Sequence, residues 1–271
     1  PFDNDPMTML GVQNLSKDEA SQVSFLLTDV DDTITTEGKL RPVALAALYA
    51  LQEAGIRTIC VTGGSAGWGD TYLRQWPVEA VLSESGAVCL YRKDGAIRKY
   101  VHPSIVQEGY EQRKSALIQK VLSQVPGSKL SSDQFARIYD VAFDHGSEPP
   151  YLDARQIAKV VEVCRSMGAG TAVSSIHVNA WFGSFDKYQG TKAFFADVLG
   201  LDEATMIQKS CYCGDAPNDQ VMFSHFPLSF GVGNIKKHVQ SMQVLPRYAS
   251  ESEGGAGFSE IVYELLKKRA N

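Results

Sequence analysis

Apolar residues run almost unbroken through 23–28 (VSFLLT) and again through 57–62 (RTICVT). Both runs are too short for ordinary helices, and their continuity predicts strands buried on both faces. Between them, Pro42 to Ala54 has Pro in its first turn, alanine and leucine throughout and Gly55 at its end, which predicts a helix. Strand, helix, strand is the repeating unit of a parallel sheet covered by helices. A Gly-rich turn, GGSAGWG at 63–69, then leads into a second helix ending near Trp76-Pro77, and Ala80 to Ser83 supplies a third strand.

From about residue 86 the texture changes. GAVCLYRKDGAIRKYV predicts a hairpin turning at Asp94-Gly95. It is followed by a helix over 104–125, a strand over 137–144, a helix over 151–167 and a strand over 171–182. After Asp186 the first texture returns, with a helix over 189–199, strands at 210–214 and 228–232, a helix from Asn218 and a C-terminal helix from Phe258. The expected fold is α/β: a Rossmann-like parallel sheet core with helices on both faces, plus an inserted α+β cap domain. The expected division is an N-terminal arm of 1–20, a core of 21–85 and 185–271, and an insertion of 86–184.

Composition narrows the functional classes. With 271 residues the chain is long enough for two ordinary domains, and 44% hydrophobic with 21% charged residues is typical of a globular α/β protein. A formal charge of −5 with no basic block argues against a nucleic-acid partner. No apolar run reaches about 18 residues and the first ten residues lack a basic stretch leading into an apolar one, so neither a membrane span nor an export signal is expected. Five scattered cysteines fit reduced thiols in a cytoplasmic protein, and Cys211-Tyr212-Cys213 has no matching pair to make a zinc site.

The candidate chemistry lies where apolar runs end. Ligands of parallel sheets sit beyond the carboxyl ends of the strands. The first strand ends on Asp29, Asp31 and Asp32, the second on Thr62-Gly63-Gly64, and a later one on Gly214 to Asp219 (GDAPND). Acids gathered from distant segments repel one another unless a cation neutralises them, and oxygen donors without His or Cys favour Mg²⁺. Asp29 and Asp31, one residue apart on extended chain, turn to the same side. That pairing suits a nucleophile and an acid/base partner acting on a phosphoryl group, with the Thr62 hydroxyl and the Gly63 and Gly64 amides as donors. A lysine would complete the charge balance, and Lys187 and Lys192 both lie in range.

These motifs resemble those of the haloacid dehalogenase-like (HAD) superfamily of phosphatases. Asp29-Val30-Asp31-Asp32-Thr33 matches its DxDxT motif, Ile59 to Gly64 its second motif, and Gly214 to Asp219 its GDxxND motif, in the correct order. The resemblance implies Asp29 as nucleophile and metal ligand, and Asp31 as acid/base and a ligand through its carbonyl. It further implies Asp215 as the other carboxylate on Mg²⁺, and Asp219 as a water-mediated ligand or a support for the lysine. It favours Lys187 over Lys192, because Lys187 precedes a helix that ends at Leu199-Gly200. A large mixed insertion after the second motif resembles the C2B-capped branch, which contains Cof-like and sugar-phosphate phosphatases and the phosphomannomutases.

The expected function is therefore Mg²⁺-dependent hydrolysis of a small phosphate ester, with a sugar phosphate favoured. A phosphomutase and a catalytically quiet phosphate sensor are the alternatives. His177, Asn179 and Trp181 alternate along one expected strand and are candidate substrate contacts, and Arg113 and Arg137 candidate anion contacts. Glu84-Ser85-Gly86 is the expected hinge into the insertion, and Asp32 a turn residue.

Overall fold

A computed structural model describes residues 9–174 and 176–270. Along the chain the elements are β1 (Leu10–Gly11), α1 (Lys17–Gln22), β2 (Phe25–Thr28), β3 (Thr35–Thr36), β4 (Lys39–Leu40), α2 (Pro42–Glu53), β5 (Arg57–Val61), α3 (Ala66–Gln75) and β6 (Ala80–Ser83). Next come β7 (Val88–Lys93), β8 (Ala96–Val101), α4 (Tyr110–Gln124), β9 (Lys129–Leu130), β10 (Val141–Asp144), α5 (Ala154–Ser166), β11 (Gly170–Val173) and β12 (His177–Trp181). The chain closes with α6 (Lys187–Phe194), α7 (Glu203–Lys209), β13 (Ser210–Gly214), α8 (Gln220–Phe223), β14 (Ser229–Gly231), β15 (Tyr248–Ala249) and α9 (Gly254–Ala270).

Among the described residues nine strands form the central sheet in the order β1-β15-β14-β13-β2-β5-β6-β7-β8, parallel from β1 to β6 and antiparallel beyond. Side chains alternate across it. Leu26, Cys60 and Val81 join the core under α1, α2 and α9, while Phe25, Leu27, Ile59 and Val61 join the core under α6, α7 and α8. Both faces are thus covered, which is why these strands read as continuous apolar runs. A second sheet, β11-β12-β10-β9, is antiparallel and packs with α4 and α5 around its own apolar cluster, including Val121, Phe143, Val160 and Val178. Among the described residues no helix is long and apolar enough to cross a membrane.

Several boundaries differ from the sequence pattern for identifiable reasons. The hairpin β7–β8, expected at the start of the insertion, pairs with β6 and extends the central sheet. Of the expected arm, residues 1–8 lie outside the described residues, whereas Val12, Leu15 and Ala20 are buried in the core and β1 pairs with β15. The helix expected from 104 begins only at Tyr110, after Gly109 in the left-handed region. The strand expected over 171–182, which includes residue 175 outside the described residues, is a hairpin of two strands. The strand expected from Arg137 begins only at Val141, because the N–H groups of Ile138, Tyr139 and Asp140 donate to the Glu84 carboxylate instead of to a neighbouring strand.

Candidate active site

The sheet reverses its direction of winding at β2. From there the chain steps outward through β5 and β6, and on the other side through β13, β14 and β15. Such a switch point opens a crevice at the carboxyl ends of the strands. Thr28 is level with Cys213 and with Cys60, and the Asp29 N–H donates to the Cys213 carbonyl at 2.9 Å. Asp29, Thr62 and Asp215 therefore leave adjacent strands at nearly the same height.

Beyond β2 the chain turns sharply, with the N–H groups of Ile34 and Thr35 both donating to the Val30 carbonyl. Asp32 occupies the turn with φ 55°. The turn returns Thr33 so that its hydroxyl donates to Asp215 Oδ1 at 3.1 Å. Past β13 the loop folds back under itself. Asp219 Oδ2 accepts from the Asp215 N–H at 3.0 Å and the Ala216 N–H at 3.3 Å, while Oδ1 accepts from Tyr212 Oη at 2.6 Å and Lys187 Nζ at 2.7 Å. Gly214 permits this, since a Cβ there would lie 2.5 Å from Asp219 Oδ2.

Lys187 begins α6 behind the N-cap Asp186, whose carboxylate accepts from the Gln189 N–H. The helix is set against the turn over 84–86 by the close approach of Gly190 to Gly86, where a Cβ on Gly190 would meet Gly86 Cα at 2.5 Å. This docking holds Lys187 Nζ 3.1 Å from Asp29 Oδ1 and 2.7 Å from Asp219 Oδ1, with the side chain 4% exposed. Lys192 lies elsewhere, paired with Glu203 on the surface.

Oxygens of Asp29, Asp215 and Asp219 lie within 4.8 Å of one another. Burial, with Asp219 and Asp31 nearby, pushes the Asp29 carboxyl up against the pull of Lys187. Burial and then the Asp219 and Asp29 charges push Asp215 up. Asp31 opens to the cleft yet is surrounded by protein, and that crowding, followed by the Asp32 charge, raises it too. Burial disfavours the Lys187 ammonium, but Asp219 and Asp29 hold its pKa above the ordinary value. One ammonium among these acids leaves an excess of negative charge that a divalent cation would neutralise. The donor set fits such an ion: the oxygens are hard, and Asn218 Oδ1 is buried on the same loop without a hydrogen-bond partner. Asp29 and Asp215 are the carboxylates best placed to hold it, since both oxygens of Asp219 are already engaged.

Thr62 follows β5, with its N–H on the Leu82 carbonyl and its Oγ1 accepting from the Gly64 N–H at 2.9 Å. Above this floor lies a cavity of about 880 Å³ bounded by α3, the β3–β4 hairpin and the second sheet. Its cationic side chains are Lys187 and Arg137, both ion-paired. One wall carries Trp68, Tyr72 and Trp76, stacked at 5.7 and 4.2 Å between ring centres; the last two are nearly buried and Trp68 is 50% exposed. Ser132, Ser147, Thr171 and Ser174 also line it, and of these the Ser174 hydroxyl is spent on the His177 backbone.

His177, Asn179 and Trp181 all reach this cavity. Asn179 Nδ2 is committed to the Gly63 carbonyl at 3.1 Å and Asp140 Oδ2 at 2.7 Å. The Trp181 indole donates to the Phe185 carbonyl and stacks on that ring, as a core residue would. Burial, and then Arg137, lower the His177 pKa to about 4, so the ring is neutral near pH 7. Arg113 lies over the Tyr110 and Phe182 rings, away from the carboxylates. Arg137 instead bridges Asp133, Asp140 and the Gly63 carbonyl.

Glu84 is the residue whose importance the sequence pattern conceals. It is fully buried with φ 54°, and Oε1 accepts from the N–H groups of Ala66 and Ile138 while Oε2 accepts from those of Tyr139 and Asp140. It ties the start of α3 to the strap over 133–140. An acid set between an apolar strand and a glycine in VLSESGAV was the available signal.

No family model matches the sequence, and no curated protein matches it. Solved structures do share its architecture. The fold is similar to that of the Thermoplasma acidophilum protein 0175, at 15% identity over 90% of this chain and 98% of that one, with a TM-score of 0.69. It is also similar to that of a haloacid dehalogenase-like hydrolase from Bacteroides thetaiotaomicron, at 14% identity over 90% and 99%, with a TM-score of 0.64. A third is the sucrose-phosphatase from Synechocystis bound to sucrose and phosphate, at 16% identity over 90% and 98%, with a TM-score of 0.62. The chain thus has the HAD-like fold, a mainly parallel sheet flanked by helices with a smaller antiparallel sheet beside it.

Proposed function

We propose that the protein is a Mg²⁺-dependent phosphomonoester hydrolase that acts on a sugar phosphate through an aspartyl-phosphate. The observation that carries this reading is Asp29 at the switch point of the sheet, 3.1 Å from a buried lysine and grouped with Asp215 in the lining of the cavity.

Asp29 attacks phosphorus, and the alkoxide departs as Asp31 gives it a proton; the raised Asp31 pKa suits a carboxyl that must be protonated to act. Asp31 then takes a proton from water, which hydrolyses the acyl phosphate and frees Asp29. Lys187 and the Thr62 hydroxyl neutralise and orient the phosphoryl oxygens, and the Gly63 N–H, with no acceptor among the described residues, is free to do the same. When bound, Mg²⁺ supplies the remaining neutralisation of phosphoryl and carboxylate charge.

The leaving group is read from the walls. A half-exposed indole backed by two rings offers an apolar face, the Ser132, Ser147 and Thr171 hydroxyls line the same cavity, and no uncommitted cation lines the described cavity. An uncharged ring with one flat apolar face and a hydroxylated rim, such as a pyranose, matches that arrangement. The test is phosphate release from sugar phosphates, an acyclic polyol phosphate and an aryl phosphate, with Mg²⁺ or EDTA, comparing wild type with Asp29→Asn. Release that requires both metal and Asp29 is expected. Release by Asp29→Asn would overturn the nucleophile, and none from any compound by metal-loaded wild type would overturn the hydrolase.

A further inference from the structure

The Gly63 carbonyl is gripped from the strap and the second sheet at once, by Arg137 Nη1 at 2.9 Å and Asn179 Nδ2 at 3.1 Å. That carbonyl belongs to the same peptide unit as the Gly64 N–H, which donates to Thr62 Oγ1 at 2.9 Å. Because the peptide is planar, fixing its oxygen fixes the direction of its N–H. A hydroxyl whose oxygen accepts one hydrogen bond has its own proton left to donate elsewhere. Thr62, like Asp29, lines the cavity.

Resting on the hydrolase reading, we infer that Arg137 is a positioning residue: its hold on the Gly63 carbonyl, shared with Asn179, directs the Thr62 hydroxyl proton at the phosphoryl group. The grip is itself built. Arg137 is buried, its Nη1 also meets both oxygens of Asp140 at 2.9 and 3.0 Å, its Nε meets Asp133 at 3.1 Å, and Asp140 accepts from Asn179. Glu84 holds the three N–H groups that follow Arg137 in the chain. The strap is therefore linked to the phosphate site through one peptide unit. An arginine that bound the substrate directly would leave its guanidinium open to the cavity; here all three nitrogens are occupied by Asp133, Asp140 and Gly63.

The experiment is a double-mutant cycle on the Mg²⁺-loaded full chain with an aryl phosphate, pairing Arg137→Met with Thr62→Val. Loss of one oriented donor to the transition state lowers kcat/KM by about a hundredfold. Each single variant is expected to fall by roughly that factor, and the double variant to fall no further than Thr62→Val alone, within about threefold. Arg137→Lys, which can still donate to the Gly63 carbonyl, recovers most of the loss, and orthovanadate inhibition weakens in parallel with kcat/KM. If Arg137→Met does not fold, the charge-balanced pair Arg137→Met with Asp140→Asn carries the same cycle. Losses that multiply, or an Arg137→Met enzyme with wild-type kcat/KM, would overturn the inference while leaving the hydrolase reading intact. A wild type without metal-dependent phosphate release would instead overturn the hydrolase reading itself.

Discussion

Replacing Glu84 by Gln removes one acceptor oxygen from a group that now serves four buried N–H donors, two on each oxygen. The new amide NH₂ faces two donors in either of its orientations, and each buried donor left without a partner costs about 1–3 kcal/mol. The expected destabilisation is therefore about 2–6 kcal/mol, a large fraction of the 5–15 kcal/mol typical of a folded domain. Glu84 and Ser85 also sit at φ 54° and 58°, where a non-glycine residue is strained by about 1–3 kcal/mol. The four hydrogen bonds offset that strain in the native chain, and the variant keeps the strain while losing two of them. Urea midpoints at pH 7 measure the loss, and amide exchange at Ile138, Tyr139 and Asp140 shows whether it falls on the strap. A loss below 1 kcal/mol with unchanged protection of these three amides would refute the assignment of Glu84 as the anchor.

Lys187→Met should reduce kcat by at least a hundredfold and destabilise the fold by about 3–5 kcal/mol, because Asp29 and Asp219 lose their buried cation. Lys192→Met should change either quantity little; steady-state kinetics and urea unfolding compare the two. Mg²⁺ should raise the melting temperature in a saturable way, and Asp215→Asn should blunt the effect, because the ion relieves repulsion among acids that burial leaves uncompensated. His177 has its pKa lowered to about 4 by burial and then Arg137, with Asp133 and Asp144 opposing and His145 adding to the shift. The unfolded ring binds a proton below about pH 6.5 and the folded ring does not until about pH 4, so stability falls across that window as pH drops. A shift of this size is worth about 3 kcal/mol, and urea midpoints at pH 7 and pH 4.5 should fall less in His177→Asn than in wild type.

The α/β alternation and the positions of the acids were legible in the sequence because both are local. A strand that is buried on two faces must be apolar along its length, and a residue that follows such a strand in a parallel sheet stands at the crevice whatever the rest of the chain does. Asp29, Thr62 and Asp215 needed only that rule. The tertiary structure decided what depends on distant partners. Residues 137–140 carry a strand-like sequence, yet three of their N–H groups are taken by an acid 54 to 56 positions earlier. The β7–β8 hairpin forms as its turn residues dictate, but which sheet it joins depends on the open edge of β6. Asn179 and Trp181 share a face as alternation requires, and only packing shows that the Asn179 amide nitrogen and the Trp181 indole N–H are spent on Gly63, Asp140 and Phe185. Local pattern fixes where a side chain points along its own element; which group it meets is set by the free energy of satisfying every buried donor and acceptor in the folded chain at once.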